Sequence, residues 1–170
     1  MLQRQHLQNG GFESGAFAPG WSDSGELARM VSDTHPYIGD HAALLGDPGY
    51  DTNGGCPFGR ATIQQTFDVP REGHPMLQVW FRLYSYDTKD FDYFAIDIAP
   101  WPVGPAERVF RYGSPYWLNG NLWNSGWIPA TIPLDDYVGK RITIRLYNAM
   151  TNDDGYYNTW TYVDEVVVVP

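Results

Sequence analysis

The chain has 170 residues, of which 43% are hydrophobic, and its formal net charge is −9. That length fits one domain with a substantial core, and the hydrophobic content excludes a disordered tail. The acidity disfavours nucleic acids and anionic membranes, whose phosphates are bound through Lys and Arg, but suits cations, neutral sugars or basic proteins.

Three further features of the composition narrow the class of protein. The single cysteine, Cys56, excludes an intrachain disulfide, and no apolar run approaches the ~18 residues of a membrane span. The N-terminal segment 1–8 lacks the apolar core of a signal peptide. We therefore interpret residues 1–170 as a single β-sandwich domain with a loose N-terminal extension over 1–8. We expect it to be a mature or excised module of an extracellular or cell-surface protein, without membrane insertion.

Short apolar segments separated by glycine- and proline-rich turns predict an all-β fold. The segment 22–33 is ambiguous, and we interpret it as a strand because Gly25 and the dipeptide His35-Pro36 disfavour a helix. Spacing of the strands predicts a jelly-roll β-sandwich of two antiparallel sheets. The predicted strands are Leu27–Ser32, Ala42–Leu45, Ala61–Val69, Met76–Tyr86, Tyr93–Ala99, Arg108–Arg111, Asn124–Pro129, Arg141–Asn148 and Tyr162–Val169.

Two predicted strands, Met76–Tyr86 and Arg141–Asn148, alternate strictly between aliphatic and other residues. The aliphatic sets belong to the core, whereas the alternate positions carry aromatic residues beside arginines. One interpretation is a ligand platform, on which rings stack against sugars and arginines bind hydroxyl groups. The other is a structural face covered by the tryptophan-rich segment 99–127.

Six motifs in this order resemble galactose-binding-like jelly-roll domains of bacterial extracellular proteins. The set is similar to carbohydrate-binding modules of that fold and to MAM-type adhesion domains. The motifs are NGGFESG (9–15) followed by Trp21, YIGDHAALLG (37–46), ATIQQTFDVP (61–70), VWFRLYSYDTKDFDYFAIDI (79–98), LDDYVGKRITIRLYN (134–148) and YVDEVVVV (162–169). The resemblance implies the jelly-roll fold and a role in sugar binding, adhesion or structure.

A structural Ca²⁺ is predicted where the first and last segments meet. These are often neighbours in a sandwich, so Glu13 and Asp164 are expected to share a site of the oxygen ligands that Ca²⁺ prefers. The resemblance implies that backbone carbonyls of the Gly39–Asp40–His41 turn complete the shell. The alternative is that Glu13 caps a turn and Asp164 binds backbone amides without a metal.

A second acidic segment, NAMTNDDGYYN (148–158), places two aspartates beside a glycine. Such a segment suits another Ca²⁺, but the twelve-residue loop pattern with its terminal Glu is absent. We favour an Asx-rich turn over a second ion.

The resemblance implies two alternative positions for a ligand site, and the sequence does not choose between them. On the concave face of a sheet, the lining residues would be Trp80, Arg82, Tyr84, Arg145 and Tyr147. In the loops at one end, the exposed aromatic residues would be Trp117, Trp123, Tyr156, Tyr157 and Trp160.

An enzyme is not expected from the motifs present. The four histidines form no metal-binding spacing, and neither a Gly-x-Ser-x-Gly elbow nor a phosphate loop occurs. The acidic residues Asp87, Asp90, Asp92 and Asp97 would support glycoside hydrolysis only if they faced one another across a groove. We predict non-catalytic binding of a polysaccharide or glycan on a Ca²⁺-stabilised sandwich. The alternative is a structural or adhesion domain that binds protein partners in a surface assembly or filament.

Overall fold

The computed structural model describes residues 7–50, 55–151 and 157–170, and its strands form two antiparallel sheets. A single 3₁₀ turn, Asp135–Tyr137, follows β9. The strands are β1 Ser22–Gly25, β2 Arg29–Ser32, β3 Ala42–Leu45, β4 Gly59–Asp68, β5 Met76–Ser85, β6 Asp92–Pro100, β7 Glu107–Tyr112, β8 Trp123–Asn124, β9 Ile128–Pro133, β10 Arg141–Met150 and β11 Thr159–Val169.

One sheet has five strands in the order β1-β4-β10-β6-β7, with β10 paired along its whole length to β4. The other has six strands, in which β2-β3-β11-β5-β8 form a path and β9 also pairs with β5. The predicted all-β jelly-roll β-sandwich of two antiparallel sheets is confirmed. No helix among the described residues is long and apolar enough to cross a membrane.

The core lies between the two sheets because the aliphatic positions of β5 and β10 face each other. Phe81 of β5 stacks on Phe94 of β6 with ring centroids 4.9 Å apart, so the two sheets interlock at the middle of the sandwich. Burying each such side chain stabilises the fold by about 1.5–3 kcal/mol. The fully buried aliphatic set includes Leu77, Val79, Leu83, Ile144 and Leu146.

Two strand predictions differ from the structure. β1 was not predicted because its sequence, SDSG, has no apolar alternation and all four residues are exposed. The predicted strand Asn124–Pro129 is divided into β8 and β9, with Ser125 between them. Ser125 accepts a hydrogen bond through Oγ from the N–H of Leu83 (2.9 Å), so the edge of β5 is satisfied across the break.

The extension predicted over 1–8 ends earlier than expected, because residues 7 and 8 pack against the sandwich. Leu7 is buried in the core. The backbone N–H of Gln8 donates to Oε1 of Gln65 (2.7 Å), and Nε2 of the same Gln65 donates back to the carbonyl of Gln8 (2.9 Å). Residues 1–6 lie outside the described residues.

Candidate functional site

The five residues predicted to line one concave groove lie on opposite sides of the molecule. Trp80, Arg82 and Tyr84 alternate with core residues of β5, so they point outward from the six-stranded sheet. Arg145 and Tyr147 point outward from β10 of the five-stranded sheet. The whole core separates the two sets, and the prediction of a single groove is wrong. Alternation identifies outward positions but does not say to which sheet a strand belongs.

The outer surface of the six-stranded sheet is a layer of rings, here called the aromatic face. It consists of Tyr37, Trp80, Tyr84, Trp127, Trp160 and Tyr162. Tyr37 stacks on Trp80 with centroids 4.3 Å apart, and Tyr84 lies parallel to its cross-strand partner Trp160 at 5.2 Å. Stacked pairs of this kind stabilise a fold beyond the area that they bury.

Most ring surfaces on the aromatic face are already occupied by protein. Trp160 and Tyr162 are only 7% and 3% exposed, so Trp160 is not the exposed loop residue that was predicted. The guanidinium of Arg82 lies 5.1 Å from the ring of Tyr84 and donates a hydrogen bond to Asn124 (3.1 Å). Most of the cover comes from the loop 33–41, together with Trp127 of the segment 99–127.

The loop 33–41 is held by Glu13 and Asp164, which meet at this loop from the two ends of the chain. Asp164 is buried, and its Oδ2 accepts hydrogen bonds from the N–H groups of Tyr37 (2.9 Å) and Ile38 (3.1 Å). The carboxylate of Glu13 accepts from the N–H groups of Asp40 (3.1 Å) and His41 (3.2 Å). Both acids therefore fix the loop that covers the aromatic face.

The two carboxyl groups differ in their pKa. Burial raises the pKa of Asp164 to about 6, although hydrogen bonds from Ile38, Glu165 and Tyr37 oppose that shift. Slight burial also tends to raise the pKa of Glu13, but the amides of Asp40 and His41 outweigh it, and the pKa is lowered.

Gly39 is required in this loop. Its φ is +74°, and a Cβ atom at this position would lie 2.3 Å from Oε1 of Glu13.

As they are placed, these residues do not fit the predicted Ca²⁺ site of Glu13, Gly39, His41 and Asp164. Ca²⁺ takes six to eight oxygen ligands. Here the oxygens of both carboxylates face N–H donors, whose positive ends oppose a cation. Among the described residues, no group of three or more His, Cys, Asp or Glu side chains is placed to hold a metal. The ion stays a prediction, and binding it would require the amides of the loop to turn away.

The outer surface of the five-stranded sheet is a different layer, here called the arginine face. It consists of Arg60, Arg108, Arg111 and Arg145 above Tyr93 and Tyr147. Tyr147 is only 1% exposed; its hydroxyl donates to Oδ1 of Asp97 (3.1 Å) and accepts from Nη2 of Arg108 (3.0 Å). Burial raises the pKa of Tyr147, so this hydroxyl stays protonated at neutral pH.

A third surface is formed by the loops 86–91 and 113–122 with Tyr157, here called the loop end. Tyr116 and Trp117 are 64% and 66% exposed at its tip. Trp117 meets the ring of Tyr157 edge-on at 6.2 Å, and Tyr116 meets Trp123 in the same way at 5.8 Å. The structure thus brings together three of the five predicted loop aromatics. Tyr156 and the acidic turn with the predicted second Ca²⁺ lie outside the described residues.

The tip of the loop end is fixed at its base. Ser114 is fully buried, and its hydroxyl donates to the carbonyl of Tyr116 (3.1 Å) while accepting the N–H of the same residue (3.3 Å). The carbonyl of Ser114 accepts from the N–H of Lys89 (2.8 Å), which ties the two loops together. A Cβ atom on Gly113 would lie 2.6 Å from Cα of Lys89, so only glycine permits this approach.

Beneath the loop end, the core is closed by a buried polar layer. Thr159 Oγ1 donates to Oδ2 of Asp92 (2.7 Å) and lies 2.6 Å from the hydroxyl of Ser85. Asn148 donates to the carbonyl of Thr159 (2.9 Å). Of the acids considered for hydrolysis, Asp87 and Asp92 are buried here, Asp90 is exposed, and Asp97 lies on the arginine face.

Several residues of these surfaces were missed from the sequence. Tyr37 and Tyr116 lie in loops, where no periodicity marks a side chain as buried or exposed, whereas Trp127 belongs to the segment 99–127 that was considered as a cover for this face. Arg60, Arg108 and Arg111 come together only through pairing of strands distant in sequence. The one signal of the arginine face in the sequence is the number of arginines at outward strand positions.

Comparison with known proteins gives the class of the fold. No family model and no curated protein matches the chain. Among solved structures, the chain is similar to the jelly-roll β-sandwiches of carbohydrate-binding modules and of bacterial adhesin domains. These relatives are all below 25% identical, so the likeness shows the fold alone.

Three solved structures illustrate the likeness. TmCBM61, solved with β-1,4-galactotriose, is 18% identical over 98% of this chain and 99% of that one, with a TM-score of 0.64. The K3 cleaved adhesin domain of Lys-gingipain from Porphyromonas gingivalis is 12% identical over 95% and 96%, with a TM-score of 0.61. A xylan-binding domain of CBM 22 is 13% identical over 98% and 96%, with a TM-score of 0.50.

Proposed function

We propose that the protein is a non-catalytic carbohydrate-binding module, and that Tyr116 and Trp117 at the loop end form its sugar-stacking platform. The observation that carries this is the exposure of these adjacent rings, at 64% and 66%, on a loop whose base is fixed by Ser114. Exposed apolar surface held in one conformation is typical of a binding site.

Stacking explains how such a platform would hold a saccharide. The C–H groups on one face of a pyranose ring meet the π face of an indole, and polar groups at the rim bind the hydroxyls. Asn119 and Asn121 are exposed in the same loop and would supply such polar groups; Nδ2 of Asn121 also donates to the carbonyl of Leu118 (3.0 Å). The rings of Trp117 and Tyr157 are nearly perpendicular, with centroids 6.2 Å apart, so Tyr157 supports Trp117 without a parallel stack.

Structural relatives support a glycan ligand and suggest which polymers to test first. TmCBM61 was solved with β-1,4-galactotriose and the CBM 22 domain binds xylan. We therefore propose β-1,4-galactan and xylan as the first candidates. Because such polysaccharides lie outside the cell, we also propose an extracellular or cell-surface setting for this chain.

The decisive test is retention of the purified protein in gels that contain β-1,4-galactan or xylan. We expect Trp117→Ala to weaken binding about tenfold, since an aromatic stacking contact contributes about 0.5–1.5 kcal/mol beyond buried area. Trp101→Ala is the matched control. Trp101 is also exposed, at 50%, but it stacks under Arg141 at the opposite end of the sandwich and should change retention less than twofold.

A second variant separates the loop end from the aromatic face. Trp80→Ala removes the ring that stacks on Tyr37, so we expect lower stability but unchanged retention. If Trp80→Ala abolishes retention while Trp117→Ala does not, the aromatic face is the binding site and the proposed platform is wrong.

A non-catalytic role is proposed because the acidic residues considered for hydrolysis are engaged in contacts within the protein. Asp87 and Asp92 serve the buried polar layer, and Asp97 is bonded to Tyr147 and paired with Arg108 at 3.9 Å. We expect no release of reducing sugar from any polymer that binds. Hydrolysis that copurifies with the folded protein would overturn this part of the proposal.

A structural or adhesive role is the second candidate, because adhesin domains of Lys-gingipain share the fold. This role is favoured by the exposure of Phe58, Phe91 and Leu122, which lie in loops at the same end of the sandwich as Trp117. On this interpretation those apolar side chains contact another protein in a surface assembly. Failure of every glycan, with Trp117-dependent binding to a protein partner, would select this role.

A further inference from the structure

The arginine face concentrates positive charge on an acidic protein. Four of the 11 lysine and arginine residues lie on it, although the chain carries a net charge of −9. Strand register brings them together in two neighbouring rows. One row runs Thr62, Tyr147, Ala95 and Arg111; the next runs Gln64, Arg145, Asp97 and Arg108. Arg60 extends the patch opposite Ala149.

The guanidinium groups lie over an aromatic floor. Arg60 lies 4.3 Å from the ring centroid of Tyr147, and Arg111 lies 4.0 Å from that of Tyr93. Arg108 lies 4.9 Å from Tyr93 and donates hydrogen bonds to both tyrosine hydroxyls. Stacking on a ring holds an arginine in place and leaves N–H donors at its rim available.

Among the residues that the structure describes, three of these arginines form no ion pair with a carboxylate. Within the described residues, the ion pairs of arginine involve Arg29, Arg108 and Arg141, so Arg60, Arg111 and Arg145 have none within 4.0 Å. Arg145 donates to Oε1 of Gln64, and Arg111 donates to the carbonyl of Lys89. Glu26 accepts the backbone N–H of Arg60, not its guanidinium.

An acidic chain offers many carboxylates to pair with an arginine, yet among the described residues only Arg108 of this face forms an ion pair, and Glu26 acts on Arg60 only at longer range. Asp97, the carboxylate at the centre of the patch, is already bonded to Tyr147 and paired with Arg108. The patch is about 14 Å wide across four strands, given a spacing of about 4.8 Å between strands. It is thus large enough for a short saccharide and rich in the donors that bind anionic oxygens.

We propose that the arginine face is a second binding site, which takes an anionic saccharide and holds its carboxylate or sulfate group through Arg60, Arg111 and Arg145. Tyr93 and Tyr147 form the floor of this site, and the guanidinium groups form its walls. The proposal concerns a different surface from the loop end and does not rest on the stacking platform there. It implies that one chain can bind a neutral and a charged part of a glycan at the same time.

The test measures affinity for polygalacturonate, which carries carboxylates, and for dextran sulfate, which carries sulfates. The fully methyl-esterified form of polygalacturonate is the uncharged control. We expect Arg60→Gln and Arg145→Gln each to weaken binding of the charged polymer about tenfold, because a charge-assisted hydrogen bond is lost. Binding should also weaken between 50 and 300 mM salt, as the Debye length falls from about 14 Å to about 6 Å. The esterified polymer should not bind.

Arg71→Gln is the matched control, since it removes the same charge from an exposed loop at the opposite end of β4 and should change affinity less than twofold. Binding of polygalacturonate assigns the site to carboxylates, binding of dextran sulfate alone assigns it to sulfates, and either supports the proposal. Absence of binding to both polymers, or equal losses for Arg60→Gln and Arg71→Gln, overturns it.

Thermal melts of Arg60→Gln and Arg145→Gln distinguish loss of the binding site from loss of the fold. Both arginines are surface residues, so we expect melting temperatures close to that of the unmodified chain. Retention of neutral galactan should also be unchanged in Arg60→Gln and about tenfold weaker in Trp117→Ala, so each substitution should affect only its own site.

Discussion

The two outer faces of the sandwich differ in how their aromatic residues are used. On the aromatic face, rings pack on one another and on Tyr37 of a covering loop. On the arginine face, Tyr93 and Tyr147 support guanidinium groups instead, and Arg108 is the one of these arginines that pairs with a carboxylate within the described part of the chain. One face is therefore closed by ring-to-ring packing under a loop that two carboxylates hold, whereas the other exposes guanidinium groups above its rings. Both faces arise from the same pattern, in which large outward residues alternate with core residues along a strand.

The largest expected effect comes from releasing the loop that covers the aromatic face. Asp164→Ala would leave the N–H groups of Tyr37, Ile38 and Glu165 without their acceptor. These donors are partly buried, and a hydrogen bond to a charged group contributes about 1.5 kcal/mol or more, so we expect a loss of about 4 kcal/mol in unfolding free energy. Denaturant unfolding measures it, and hydrogen exchange should show faster exchange at Tyr37 and Ile38.

Asp40→Ala is the control for this change, because Asp40 is exposed in the same loop and contributes only its backbone N–H. It should alter stability by less than about 0.5 kcal/mol. Equal stability of Asp164→Ala and the unmodified chain would show that Asp164 does not hold the loop.

A smaller effect is expected on the arginine face from Tyr147→Phe. The substitution keeps the buried ring but removes the hydroxyl that donates to Asp97 and accepts from Arg108. Hydrogen bonds to charged groups contribute about 1.5–3 kcal/mol, and we expect a loss of about 2 kcal/mol. Tyr84→Phe, which removes a hydroxyl from the aromatic face, should change stability by less than 0.5 kcal/mol. Comparable losses in both variants would remove the contrast between the faces.

The smallest effect is a pH dependence that also tests the predicted Ca²⁺. Burial raises the pKa of Asp164 from 3.8 to about 6, so the folded chain binds a proton more tightly than the unfolded chain. Without metal, lowering the pH from 7 to 5 should raise the unfolding free energy by about 1 kcal/mol, and Asp164→Ala should abolish this gain.

A bound Ca²⁺ would reverse the sign of that dependence. The ion would stabilise ionised Asp164 and lower its pKa in the folded state, so acidification would then weaken the fold. Melts at pH 7 and pH 5, each with Ca²⁺ and with EDTA, distinguish the two states. A melting temperature that EDTA does not change, together with a gain at pH 5, would contradict the predicted metal site.

The sequence predicts the sandwich well because its signals are local. Alternation in β5 and β10 marks Phe81 and Ile144 as core and Trp80 and Arg145 as outward residues. It does not say that β5 and β10 belong to different sheets, since that depends on pairing between strands distant in the chain. The single predicted groove failed for this reason.

Local signals also explain what was found at the two ends of the chain. Glu13 and Asp164 were expected to meet, and both bind one loop, because a carboxylate that lies beside a loop accepts hydrogen bonds from its backbone N–H groups. Their partners are amide groups, and nothing in the sequence of the loop distinguishes a carbonyl pointing inward from an N–H pointing inward. The exposed Trp117 was predicted as a loop residue, but the anchor at Ser114 depends on contact with Lys89 of another loop.

The buried polar layer formed by Ser85, Asp92, Asn148 and Thr159 separates the apolar core from the residues above it. Hydrogen bonds in this layer complete the upper boundary of the sandwich, so the tip of the segment 113–122 adds little to its stability. New sequences grafted between Ser114 and Trp123 should therefore leave the scaffold folded. Exchange of this one segment would then give the fold a new surface, which makes it a practical framework for engineered binders.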